Sequence, residues 1–178
     1  MFNTIVKYGV IAGVVVAAFM FATFLGFGDM PPMPWGMVIG YAGMLIALSA
    51  VFVGIKRHRD LDRGGVIGFW PAFGIGLGIS FIAGVFYVVA WEGVLAITDM
   101  DFIASYSNAM LENARAEGAS DAALATMAAE MEAMKVQYAN PLFRLPMTFA
   151  EIFPVGVLVS LVSAALLRNP RFLPARRS

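Results

Sequence analysis

Charge is missing from three long stretches of this chain: from Lys7 to Asp29, from Asp29 to Lys56, and from Arg63 to Glu92. Each gap accommodates a helix of about 20 residues, the length that crosses about 30 Å of hydrocarbon. Inside a bilayer the backbone must satisfy its own hydrogen bonds, so runs of this kind fold as helices. A fourth run, from about Pro146 to Leu167, is apolar apart from one acid, Glu151. Hydrophobic residues make up 60% of the 178 residues and charged residues 13%, so a soluble fold would lack the polar surface to cover itself. The sequence predicts an all-α integral membrane protein with four transmembrane helices. Residues 1–178 form a single membrane domain, and residues 98–145 form an extracytoplasmic helical insertion, a periplasmic hairpin between spans three and four.

The first span is predicted from about Thr4 to Phe27. Its apolar core exceeds the roughly 7 to 15 residues of a signal peptide, and Phe19, Phe21, Phe24 and Phe27 fill the end where small residues would mark cleavage. It therefore reads as a retained helix. A turn with Asp29, Pro31, Pro32 and Pro34 follows, where proline removes backbone donors. The second span is predicted over about Gly36 to Ile55, with Trp35 at interfacial depth. It leads into a basic loop, Lys56 to Arg63, and the third span runs from near Val66 to about Ile97.

Orientation follows from where the positive residues fall. The Lys56 to Arg63 loop and the tail with Arg168, Arg171, Arg176 and Arg177 are the basic connections, which places both termini on the cytoplasmic side of the membrane. The long connection carries Asp99, Asp101, Glu112, Glu117, Asp121, Glu130 and Glu132 against Arg115, Lys135 and Arg144, so it belongs outside. Within it Phe102, Tyr106 and Met110 share one helical face until Gly118 interrupts. Ser120 is the expected N-cap of a second helix, on which Leu124, Met127, Met131, Met134 and Tyr138 form an apolar seam ended by Asn140 and Pro141.

Glu92 and Glu151 are the candidate intramembrane polar site, because an acid within a span needs a partner, a proton or water. Helices three and four run in opposite directions, and a rise of about 1.5 Å per residue puts both carboxyls about 9 Å below the outer helix ends. If they face each other, a shared proton or a cation site follows. The alternative is that each accepts hydrogen bonds or pairs with Arg144 and locks helix packing. The pairs Gly9 and Gly13, Gly36 and Gly40, and Gly74 and Gly78 give flat stripes for close helix approach. The glycine run from Gly74 to Gly78 lacks the Lys-Ser or Lys-Thr of a phosphate loop.

Met30, Met33 and Met37, with Met127, Met131 and Met134, are soft ligands for copper(I), but the absence of cysteine and of a nearby histidine favours core filling. The chain thus implies no metal and no cofactor. His58, the sole histidine, reads as part of a solvated basic loop without an orienting partner for catalysis. No nucleophile motif stands out, and no basic stripe with interleaved aromatics points to nucleic acid.

Several segments together resemble the bacterial membrane-protein family known as domain of unknown function 4199. They are Val53 to Asp60, Gly64 to Phe69, Tyr87 to Glu92, Tyr138 to Phe143 and Met147 to Gly156, and the resemblance covers nearly the whole chain. It implies a four-span bacterial membrane protein with an outer helical insertion and carries over no activity or site residue. Small soluble portions and close-packing stripes point to a non-enzymatic accessory or assembly component. Its expected partners are the lipid bilayer and either further copies of itself or another membrane protein. The alternative is a small ion or proton-coupled carrier using Glu92 and Glu151. An enzyme ranks last, since no pocket of converging polar groups is evident.

Overall fold

The computed structural model describes residues 1–26, 35–98 and 101–175, and its regular structure is helical: α1 (Phe2–Gly26), α2 (Trp35–Asp62), α3 (Phe69–Ile97), α4 (Asp101–Ala116), α5 (Asp121–Tyr138) and α6 (Pro141–Leu167). No strand occurs among the described residues. Among the described residues four helices are long and apolar enough to cross a membrane, namely α1 over Phe2–Phe24 and the whole of α2, α3 and α6. The expected proline turn with Asp29, Met30 and Met33, and also Asp99, Arg176 and Arg177, lie outside the described residues.

Local chemistry sets the helix ends. Helix α2 continues past Ile55 to Asp62, because Lys56 pairs with Asp60 one turn on and the following side chains find buried partners. Gly64 and Gly65, at φ +63° and +89°, then let the chain leave the helix, and the Gly65 amide donates to the Arg59 carbonyl at 2.9 Å. Helix α3 starts at Phe69 with Pro71 in its first turn, where a missing amide costs no helical bond. Asn140 and Pro141 not only follow α5 but also start α6. Asn140 Oδ1 accepts from the Leu142 amide at 3.0 Å, and Pro141 takes the first helical position.

The chain forms two compact units, one of Met1–Trp91 with Phe149–Ser178 and one of Glu92–Thr148. The first has a core built by four helices: Ala12 and Val16 from α1, Leu48 and Val51 from α2, Ile75, Ile79 and Ala83 from α3, and Ile152 and Ala164 from α6. Within each span's most apolar window only a third to two fifths of the residues are buried (33% in α1 and α6, 39% in α2 and α3). The remainder present apolar side chains such as Val14, Leu45, Val89 and Val162 outward, as a hydrocarbon solvent requires.

Lipid tails are as apolar as leucine, so close packing has to hold these helices together. Gly9 and Gly13 take Ile82 and Phe86 of α3 against the α1 backbone, and Gly78 takes Ile5. Gly40 and Gly74 instead face open space, while Gly43, Gly54, Gly76, Gly84 and Gly156 receive Phe19, Ile79, Ser160, Phe149 and Ser80. The spacing of small residues marks a flat stripe without saying whether it faces a neighbour. Two serines enter this core with their hydroxyls satisfied, as Ser80 and Ser160 both donate to the Gly156 carbonyl, at 3.2 and 2.7 Å.

In the second unit the Gly118 amide donates to Arg115 and the Ala119 amide to Ala114, closing α4 with Gly118 at φ +87°. Ser120 caps α5 by accepting from the Ala123 amide at 3.3 Å. Helices α4 and α5 pack on one another as a hairpin. The seam on α5 is only half-buried at Leu124, Met127, Met131 and Tyr138, and Met134 is exposed.

A Cβ at Gly13 would stand 2.4 Å from Phe86 Cγ, whereas one at Gly40 meets nothing. Gly13→Ala should therefore destabilise the bundle by about 1–3 kcal/mol through overpacking. Gly40→Ala should be neutral or stabilising by up to about 1 kcal/mol. Thermal unfolding in detergent, read by helical circular dichroism, distinguishes the two.

Candidate functional site

The charges of a membrane chain lie in water, pair with an opposite charge or mark a working site. Glu92 lies six residues before Thr98 on α3 and belongs to the second unit. Arg144, on the first turns of α6 and in the same unit, meets it with both arms of its guanidinium. Nε donates to Oε1 at 2.7 Å and Nη2 to Oε2 at 2.5 Å. Nη1 donates to the Tyr138 carbonyl at 3.1 Å, and the guanidinium carbon lies 5.8 Å from the Tyr138 ring centroid. Arg144 is buried and the Glu92 side chain is 33% exposed. This fork joins α3, the end of α5 and the start of α6 in one neutral cluster, the geometry in which arginine binds a carboxylate most strongly.

Glu151 belongs to the first unit and has a different environment. The Tyr87 hydroxyl of α3 donates to its Oε2 at 3.0 Å, and no basic side chain pairs with it among the described residues. It is exposed on α6, on the same outward face as Leu158 and Val162. The two acids therefore differ in kind: Glu92 has a cation, and Glu151 has a phenol and an open side.

The largest revision of the sequence reading concerns the basic loop. His58 and Arg59 sit on the last turns of α2 and are buried, at 4% and 0% exposure. Arg59 Nε donates to Asp60 at 2.7 Å, Nη1 to the Phe172 carbonyl at 2.9 Å, and Nη2 to the Leu173 carbonyl at 2.5 Å. It thereby ties the segment after α6 to the end of α2, and Leu173 is held at φ +47°. His58 places Nδ1 2.6 Å from Asp62 Oδ2 and 3.4 Å from Thr4 Oγ1, while its Nε2 is buried without a partner. Helical spacing signals these roles faintly: Arg59 lies on the α2 face of Val51 and Ile55, and His58 and Asp62 are one turn apart.

Two losses of stability follow. Arg144→Ala should cost about 3 kcal/mol, the low end for breaking a buried pair because Glu92 is partly solvated. Removing both partners together, as Glu92→Met with Arg144→Met, should cost less than that single change. A double-mutant cycle on unfolding free energy measures the difference. Arg59→Lys should fail to replace Arg59, because an ammonium cannot reach several carbonyls in a fixed fork. Amide exchange over residues 168–175 should then rise at least tenfold.

No curated protein and no solved structure matched the chain in comparisons with known proteins. A family model does match, over residues 7–169, and its description is Protein of unknown function (DUF4199). That span includes α2, α3, α6 and most of α1, with Glu92, Arg144, Glu151 and the buried Arg59, so the chain belongs to this family.

Proposed function

We propose that this protein is a non-enzymatic, multi-pass component of a bacterial cytoplasmic membrane, an accessory or assembly subunit that receives another membrane helix on the Glu151 face of α6. One observation carries the reading: a carboxyl on the outward, apolar face of a candidate span has a single tyrosine hydroxyl as its partner among the described residues. A charge facing hydrocarbon costs roughly 2.5–3.5 kcal/mol, and each donor from a neighbouring helix offsets about 0.6 kcal/mol of that cost. The interior of the first unit supports the same reading, because it is filled by aliphatic side chains and by serines bonded to backbone. Glu92 is already neutralised by Arg144.

In this proposal the positive ends fix the orientation. Lys7, Lys56, Arg57, Arg63, Arg168 and Arg171 stand on the cytoplasmic side with both termini, and the α4 and α5 hairpin stands on the periplasmic side. The competing carrier reading takes Glu92 and Glu151 as its proton- or cation-handling acids, with the Tyr87 hydroxyl donating to Glu151.

A photo-crosslinker at Leu158, on the Glu151 face, should capture a defined membrane partner in native membranes. The partner is either a second copy or another chain, identified by mass spectrometry. Glu151→Ala should lower that yield about threefold, the scale of one intramembrane hydrogen bond. Adducts with lipid alone overturn the proposal. So does purified protein that dissipates a pH gradient across liposomes in a Glu151-dependent way.

A further inference from the structure

At the opposite end of α6 from Pro141, the first unit gathers the start of α1, the end of α2 and the segment after Leu167. Between α1 and α2 lies a cleft of about 170 Å³ whose walls include Asn3, Thr4 and Lys7 on one side and Arg57, His58 and Asp62 on the other. At about 30 Å³ per water molecule it holds a group of several heavy atoms. We infer that this cleft binds a phosphate group, carried by an anionic phospholipid headgroup or present as free phosphate. The inference is independent of the Glu151 face.

The charge balance of the cleft favours an anion. Lys7 and Arg57 come from different helices, both are exposed, and neither makes an ion pair among the described residues. The acid in the wall, Asp62, is engaged by His58, whose Nδ1–H donates to it at 2.6 Å. A carboxylate can only accept, so this contact fixes the tautomer and leaves Nε2 as the buried, unpartnered nitrogen. The ring is thus held in the cleft wall, and Asp62 turns toward the ring.

Chemistry and depth then agree. A guanidinium can hold two phosphate oxygens in a fork, an ammonium adds a point charge, and the Asn3 amide and Thr4 hydroxyl offer hydrogen bonds to further oxygens. Lys7 immediately precedes one charge-free run, and Arg57 stands just after another. Both therefore mark the boundary where apolar chain gives way to polar surface, the level at which lipid phosphates lie.

The test uses the full chain purified in detergent and titrated with short-chain phosphatidylglycerol, with phosphatidylcholine and with inorganic phosphate, read by native mass spectrometry. Phosphatidylglycerol should bind at least tenfold more tightly than phosphatidylcholine. Each of Lys7→Gln and Arg57→Gln should weaken it about fivefold, the worth of one basic residue at a headgroup. Lys7→Arg should retain binding, as should the double change Arg168→Gln with Arg171→Gln, at basic residues outside the cleft lining. Competition by inorganic phosphate, lost in the same variants, assigns the site to free phosphate, and lack of competition assigns it to lipid. Equal binding of the two lipids without phosphate binding overturns the site. It is equally overturned if the Arg168 and Arg171 variant weakens binding as much as the cleft variants.

Discussion

Hydrocarbon offers no hydrogen bonds to a polypeptide, and most of this chain answers to that constraint. Each apolar run must satisfy its amides internally, so it folds as one long helix, and polar side chains survive only where a partner is built beside them. The serines of the first unit return their hydroxyls to a single backbone carbonyl, that of Gly156. Arg59 spends its guanidinium on Asp60 and on the carbonyls that follow α6. Arg144 is matched to both oxygens of Glu92. These are three solutions to one problem, and each joins segments that are distant in sequence.

The same constraint shifts the burden of cohesion onto shape. When lipid competes equally for apolar surface, helices associate where a missing side chain lets a neighbour's ring or branch approach the backbone. Phe86 over Gly13 and Phe149 over Gly84 are such contacts, and both bring a large aromatic side chain up against a glycine. On the outward apolar face of α6 Glu151 stands out, an exposed carboxyl that accepts from the Tyr87 hydroxyl.

Much of the fold was legible because the signals were local. Apolar length gave the four membrane-type helices, Gly118 and Ser120 gave the hairpin turn, and the uneven distribution of arginine and lysine grouped the α2 end with the tail. The helix boundaries near charged residues were less legible. Lys56 to Asp62 reads as a solvated loop by composition, yet it is helical, because His58 and Arg59 point inward to partners that sequence distance hides. Likewise Gly40 and Gly74 obey the same spacing as Gly9 and Gly13 and pack against nothing.

The sequence by itself determined the class of solvent, the number of the apolar helices and the hairpin between the third and fourth. Each of these depends on residues within about one helix length, and backbone hydrogen bonding enforces them without knowledge of the rest. Only the tertiary structure decided the company each charge keeps: Glu92 with Arg144, Glu151 with Tyr87, His58 with Asp62, and Arg59 with the carbonyls of Phe172 and Leu173. Facing depends on helix rotation, which advances about 100° per residue, and that rotation is set by packing against neighbouring helices rather than by any one helix's composition.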